Sequence, residues 1–518
     1  MVDIKNTIRI NVNSKTNLID PRIYGNFIEH IGGCIHNGLW TYDLVNVPLV
    51  EGNPLLSRVR KDVLQAVKNL NPTILRAFGG CYSDVYHWKD AIGPRDKRKT
   101  VKNLHWGAGD FETIEGLGPL IENQFGTDEF LTFCEEIGAE PYLNVNYGSG
   151  TPQEAAEWVE YCNGSIDSVY GALRAKYGRS NPYDVKIWGI ANEIYANWEM
   201  GYETSPKDYA LKYLEFAKEM RSKDPSIELV AVGYDNSEWN QTLLKNLGED
   251  WVNYLSIHRY LPNTAGASAG RKRRDNEKSY HALMASTPLI ENYIKDTWKD
   301  ITAALGEDTN VRIAFDEWGL WYLITDVIRT SYNLQDGLWT ALTLMIFQRM
   351  SNICPIANWA QLINCLGTIQ TDPDGLILTP VYIVFKLFID HMKRNLLEQI
   401  NVNCSTFSNK SFKTIPKRDD VPYIECNATI DDSQKHLSII FVNKHFSDPL
   451  AVILEIEGFT PQYEAILVEL TSESPFDYNT IENRTKVNII SRTIKDVDSN
   501  MTIQLSAHSV SILKLEKL

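Results

Sequence analysis

No run of apolar residues in this chain is long enough to cross a bilayer. The nearest, "TPVYIVFKLFI" at 379–389, is short of the ~20 residues a span needs and contains Lys386. The opening residues, "MVDIKNTIRINVNSK", hold no apolar stretch and no small-residue cleavage site, so a cytoplasmic protein is expected. The eight cysteines are scattered without a CxxC pair, which excludes a disulfide framework and a zinc ribbon and fits a reducing compartment. Positive charge is in deficit: 51 Lys and Arg stand against 66 Asp and Glu, for a net charge of −15. Such a surface repels nucleic acid and anionic membrane, so neither is expected as a partner. Neither GxGxxG nor GxxxxGK[ST] occurs, so a nucleotide cofactor has no support, and no cofactor or metal is expected. Internal repeats and low-complexity tracts are also missing.

Aromatic residues are plentiful: 13 Trp and 25 Tyr, which serve either as core material or as stacking surfaces for sugar rings. Short β-branched runs alternate with helical patterns from about residue 20 to about 390. The runs are 23–29, 73–79, 140–148, 185–193, 227–235, 254–260, 311–318 and 355–363. Between them lie helix patterns such as 55–70, with Val59, Val63, Val67 and Leu70 at helical spacing, and the Ser205-Pro206 start that runs to a Pro225 stop. Alternation of this kind means a parallel sheet, and eight is the number that closes a (β/α)8 TIM barrel; an open doubly wound sheet is the alternative. From about 395 the texture changes to strands separated by polar turns, as in "HLSIIFVNKHF" and "LAVILEIEGF". The expected organisation is α/β: a barrel over 20–392, with 1–19 and 393–518 forming an all-β, jelly-roll-like sandwich to which "TIRINVN" adds a strand.

The strand ends of a barrel converge on one mouth. Here they carry Glu29, Arg76, Asn146, Asn192 with Glu193, His258 with Tyr260, Asp316 with Glu317, and Gln361. Glu193 ends run four and Glu317 ends run seven, nearly across an eight-strand ring. Paired carboxylates facing one bond are what glycoside hydrolysis requires. The competing reading for each Glu is a structural ion pair with Arg76 or Arg312.

The segments "IYGNFIEHIGG", "RAFGGCYSDVYHWKDAIGP", "FGTDEFLTFCEEIGAEPYLNVNYGSG", "IWGIANEIYANWEMG", "LSIHRY", "FDEWGLWY" and "AQLIN" occur in this order. Together they resemble the motif series of the family 51 glycoside hydrolases, the α-L-arabinofuranosidases, in the clan A retaining hydrolases. The resemblance implies a carbohydrate substrate, with Glu193 as acid/base and Glu317 as nucleophile. It implies that Glu29, Arg76, Cys81, Asn192, His258, Tyr260 and Gln361 shape the sugar pocket, and that Trp321 and Trp106 line its entrance. It also implies a homo-oligomer, often a hexamer. Duller readings stand beside these: His258 as a satisfied core histidine, Cys81 as a packed thiol, and Trp106 folded under its own loop. In the expected mechanism the carboxyls sit about 5–5.5 Å apart, and Glu193 is held protonated by burial and by the charge of Glu317.

The chain departs from the family pattern at several points, among them the altered flanks of Gln361 in "ANWAQLINCLGTIQT". "RAFGG" lacks the usual Pro, "FDEWGLWY" carries Gly319 where Asn is common, and a long loop follows run two. Endo-glucanase or xylanase, β-xylosidase and galactofuranosidase specificities are therefore alternatives. Outside this family, the sequence leaves a non-catalytic carbohydrate-binding barrel, or a metal-dependent barrel hydrolase for which "LSIHRY" supplies a single His.

Overall fold

The computed structural model describes residues 6–42, 46–107, 120–262, 275–322 and 328–518. Eight parallel strands close a barrel: β1 (Gly25–Phe27), β2 (Ile74–Ala77), β3 (Glu140–Val145), β4 (Ile187–Ile190), β5 (Glu228–Val232), β6 (Tyr254–Leu261), β7 (Arg312–Leu320) and β8 (Ile356–Trp359). Each coincides with one of the eight sequence runs, β6 continuing one residue and β7 two residues past the end of theirs. The ring closes where Gly25 and Asn26 of β1 pair with Asn358 and Trp359 of β8. The open-sheet alternative is thereby ruled out.

Helices return the chain on the outside, and their starts follow local chemistry. The Ser205 side chain accepts from the Asp208 N–H, Pro206 occupies the first turn, and the helix Pro206–Lys223 stops two residues before Pro225. Val59 departs from the sequence reading. The helix there is Lys61–Leu70, and Val59 instead bridges to Trp40 in the loop after β1. Its apolar spacing reflects burial against that loop.

The C-terminal residues form two facing sheets. The four-stranded sheet takes Asn6–Asn11 as an inner strand, antiparallel to Ile400–Asn403 and parallel to Leu450–Glu457. The central strands of the seven-stranded sheet are apolar on both faces. Leu437, Ile439, Phe441, Leu513 and Leu515 pack into the sandwich, while Ile440, Val442, Val510 and Ile512 join the core of the barrel helices. Two-sided burial is why these strands read as nearly continuous apolar runs. Asn427 adds a polar anchor to the helix Leu334–Met350, donating to Met345 O at 3.0 Å and Gln348 Oε1 at 2.9 Å.

Gly25 lies where the barrel closes. A Cβ there would lie 2.5 Å from Ile74 Cγ2 and 2.8 Å from Ala357 O. Gly25→Ala is expected to destabilise the fold by about 1–3 kcal/mol through overpacking, read as a lower melting temperature. An unchanged melt would mean that β1 can shift outward at little cost.

Candidate active site

The inside of the barrel is layered. Ile74, Tyr142, Ile187, Val230, Tyr254, Ala314 and Ile356 make an apolar layer near the strand starts. Two residues further on, the period-2 alternation brings in Arg76, Asn144, Ser256, Asp316 and Asn358. Here Arg76 Nε lies 3.5 Å from Asp316 Oδ2, which also accepts from Tyr142 Oη at 2.7 Å. Ser256 Oγ donates to the other Asp316 oxygen at 2.5 Å.

Strict alternation would point Glu317 away from this interior. A β-bulge reverses that. Ser256 pairs with Ala314 and His258 with Glu317, so two residues on β6 match three on β7. Asp316 and Glu317 therefore both face inward. Glu317 Oε1 accepts from Arg76 Nη1 at 2.8 Å, and Oε2 accepts from Tyr260 Oη at 2.9 Å.

Glu193 arrives by a different device. β4 ends at Ile190, and Ala191 and Glu193 then take φ of 80° and 41°, left-handed values that disfavour side chains by about 1–3 kcal/mol each. The turn is held from several sides. Asn192 Oδ1 accepts from Arg76 Nη2 at 2.8 Å, and Asn144 Nδ2 donates to Ala191 O at 3.3 Å. Glu193 Oε1 then meets His258 Nδ1 at 2.8 Å. A carboxylate oxygen of Glu193, one of Glu317 and a His258 ring nitrogen all lie within 4.8 Å of one another. This is retaining-type spacing; inverting pairs are roughly 6.5–9.5 Å apart.

The remaining sequence-derived residues sit around this pair. Glu29 Oε1 accepts from Trp106 Nε1 at 2.8 Å and from the Tyr82 N–H at 2.9 Å, and its Oε2 accepts from Gln361 Nε2 at 2.8 Å. Trp106 thus reaches into the site rather than folding under its own loop. Gly80 borders both acids, since a Cβ there would be 3.2 Å from Glu29 Oε2 and from Glu317 Oε1. Cys81 follows it, with Sγ 3.9 Å from Asn192 Nδ2. Trp321 packs edge-on to Tyr260 at 5.4 Å. Of the two arginines in the ion-pair reading, Arg76 pairs with Glu317 inside the hollow, while Arg312 stacks on Trp298. The long loop after β2 contributes Trp106; its residues 108–119 lie outside the described residues.

Electrostatics depart from the sequence expectation at Glu193. Burial opposes a charged His258, yet Glu317, Asp316 and Glu193 together lift its imidazole to about 10. Burial pushes Glu193 up, but the hydrogen bond and charge of His258 outweigh it, with help from Trp198 and Tyr195, and Glu193 sits below the usual range. Glu317 sits above it, where burial and the Glu193 and Asp316 charges outweigh His258 and Arg76. The expected raised Glu193 is therefore corrected: in this resting arrangement the imidazolium holds it ionised. Burial pushes Glu29 to about 7 against its three hydrogen bonds. Burial and four nearby carboxylates push Cys81 far up, so it is a thiol and not a nucleophile.

The sequence reading missed Tyr142, Ser256, Tyr195 and Trp198. The first two were recoverable from strand parity, since Tyr142 lies two residues before Asn144 and Ser256 two before His258. Tyr195 and Trp198 sit on the irregular turn after β4, where no periodicity applies.

Two domain models match this chain: an α-L-arabinofuranosidase 1 domain over residues 66–279, and an α-L-arabinofuranosidase C-terminal domain over 316–509. An intracellular exo-α-L-arabinofuranosidase of Bacteroides ovatus is 31% identical over 525 residues, covering 98% of this chain and 95% of that one. The chain belongs to the α-L-arabinofuranosidases of glycoside hydrolase family 51. A crystal structure of the Thermotoga maritima α-L-arabinofuranosidase, an arabinose complex, superposes with a TM-score of 0.86 at 35% identity, covering 99% of this chain and 100% of that one. A thermostable family 51 α-L-arabinofuranosidase from Thermotoga petrophila gives the same values. In this family 51 chain the second matched segment begins at 316, inside β7, so the two facing acids come from different matched segments.

Proposed function

We propose that the chain hydrolyses terminal, non-reducing α-L-arabinofuranosyl residues from arabino-oligosaccharides, arabinan or arabinoxylan by double displacement. The observation that carries this reading is the pair of carboxylate oxygens, from Glu193 and Glu317, held within 4.8 Å across one hollow. In the first step a Glu317 oxygen attacks the anomeric carbon. The glycosidic bond breaks, and Glu193 gives a proton to the departing oxygen. In the second step Glu193 takes a proton from water, which attacks the same carbon and releases Glu317. Arg76 and Tyr260 fix the two Glu317 oxygens, which orients the attack.

His258 resolves the protonation mismatch. Its Nδ1 is 2.8 Å from Glu193 and 3.5 Å from Glu317, so an imidazolium there can hand its proton to Glu193. Esterification of Glu317 removes that negative charge and lets Glu193 act as base in the second step. Glu29 is read as accepting from furanose hydroxyls. Burial holds its carboxyl at about 7, and protonation turns one of its acceptor oxygens into a donor, so KM is expected to rise as pH falls through about 7. Glu29→Gln should show a higher KM whose remaining pH dependence no longer includes that step; an unaltered profile would remove Glu29 from substrate binding.

The test of the whole reading is a panel of aryl furanosides and pyranosides with the product anomer followed by NMR. Retained arabinofuranose is the expected product. Preference for a xyloside, a galactofuranoside or internal cleavage of a polymer would select the alternatives instead. A cytoplasmic location is part of the proposal, supported by the relative from Bacteroides ovatus whose name places it inside the cell. Among the described residues no helix is long and apolar enough to cross a membrane. A homo-oligomer, in the limit a hexamer, completes the reading, and light scattering on the purified chain tests it.

A further inference from the structure

Glu199 inverts the usual polarity of a surface turn. Its neighbours Trp198 and Met200 are 58% and 49% exposed, while Glu199 itself is 4% exposed. One carboxylate oxygen accepts a long hydrogen bond from Asn192 Nδ2 at 3.4 Å, and the other, Oε2, is fully buried with no hydrogen-bond partner. Among the described residues its one ion-pair contact is His105 Nδ1 at 3.9 Å. Burial and the charges of Glu193 and Asp84 hold this carboxyl far above the usual range, so it rests protonated, but its buried, unpartnered Oε2 still calls for a ligand that can displace the proton.

The surroundings supply the rest of a donor set. Cys81 Sγ, a His105 ring nitrogen and a Glu199 oxygen lie within 4.8 Å of one another. Bond lengths of ~2.3 Å to sulfur and ~2.0 Å to nitrogen and oxygen put the ligand atoms of a tetrahedral ion roughly 3.3–3.7 Å apart. Small side-chain rotations close that difference. The mix of thiol, imidazole and one carboxylate suits a soft or borderline dication rather than Ca²⁺ or Mg²⁺. Charge points the same way: Glu29, Glu193, Glu199 and Glu317 all act on Cys81, and burial keeps His105 neutral with its pKa near 4.

We propose that Cys81, His105 and Glu199 bind a divalent cation of the Zn²⁺ or Cd²⁺ class, and that its occupancy blocks the adjoining sugar pocket. Binding breaks the Cys81 S–H bond, forms a sulfur–metal bond and releases the proton to solvent, as any proton on Glu199 is released. Affinity therefore rises with pH. The ion draws Cys81 and Glu199 together beside Asn192, whose Nδ2 contacts both. It acts as an inhibitor and takes no part in the hydrolytic steps. The blocking half rests on the proposed hydrolase reading; the binding half does not.

Co²⁺ titration of the full chain tests the binding half by spectroscopy. One equivalent should produce a thiolate-to-cobalt charge-transfer band in the near ultraviolet that Zn²⁺ then displaces. Cys81→Ser should abolish the band. His105→Gln and Glu199→Gln should weaken binding by more than the ~10–100-fold typical of losing an outer-shell partner. Circular dichroism of each variant verifies that it folds. In parallel, Zn²⁺ should inhibit the wild type reversibly on addition of EDTA, and His105→Gln should resist inhibition relative to its own metal-free rate. No charge-transfer band overturns the proposal. So does inhibition without the band, because it puts the ion at Glu193, His258 and Glu317, a group with no sulfur. A band with undiminished hydrolysis overturns the blocking half. Failure of the metal-free chain to hydrolyse any glycoside sinks the hydrolase reading and leaves the cobalt result intact.

Discussion

Glu317→Ala is expected to lower kcat by about 10⁴-fold or more on aryl and natural glycosides alike, because both steps pass through a bond to its carboxylate. The substitution also strips buried Arg76 of its 2.8 Å partner, so lost activity alone would not separate chemistry from folding. Two controls do. Glu317→Gln keeps the shape and should be as inactive with a melt near that of the wild type. Azide should enter the space vacated by Ala and attack the sugar directly, giving a glycosyl azide of inverted anomeric configuration. Substantial turnover by either variant, or an azide product of retained configuration, would remove Glu317 as nucleophile.

Glu193→Ala should split the substrates. Glycosides with poor leaving groups need the proton and should lose about 10²–10⁴-fold in kcat/KM, while activated aryl glycosides lose far less. With those activated substrates the glycosyl-enzyme still forms and waits for a base. Azide should then accelerate turnover and give a product of retained configuration. Equal loss on both substrate classes would argue against the acid role. The position of His258 adds a refinement. Its imidazolium holds Glu193 ionised at rest, so His258→Asn should free Glu193 to rise toward the value that burial favours. The pH profile of kcat/KM should move with it, and a profile unchanged from the wild type would end the proton-transfer role of His258.

Most of the barrel was legible because each of its strands is a short β-branched run flanked by helical spacing, and the mouth was legible because strand ends carry polar residues. The bulge on β7 was not. Parity along "RIAFDEW" sends Asp316 inward and Glu317 outward, and only the unequal register against β6 brings both inside. The motif points to Glu317, where periodicity alone points to its neighbour Asp316. The protonation of Glu193 was misjudged for a related reason. Sequence distance hides that His258, on another strand, touches Glu193, Glu317 and Asp316 at once. In the sandwich, "IECNATI" at 424–430 lacks clean alternation because Asn427 spends its side chain on the barrel helix rather than on solvent.

The inner position of Asn6–Asn11 bears on how the chain is made. Its two neighbours are residues 400–403 and 450–457, so the first described segment to leave the ribosome has no docking place until nearly the last has followed. β1 likewise waits for β8. Two long-range closures therefore wait on segments made much later, and a chain stopped before residue 356 should be left with unpaired strand edges at both.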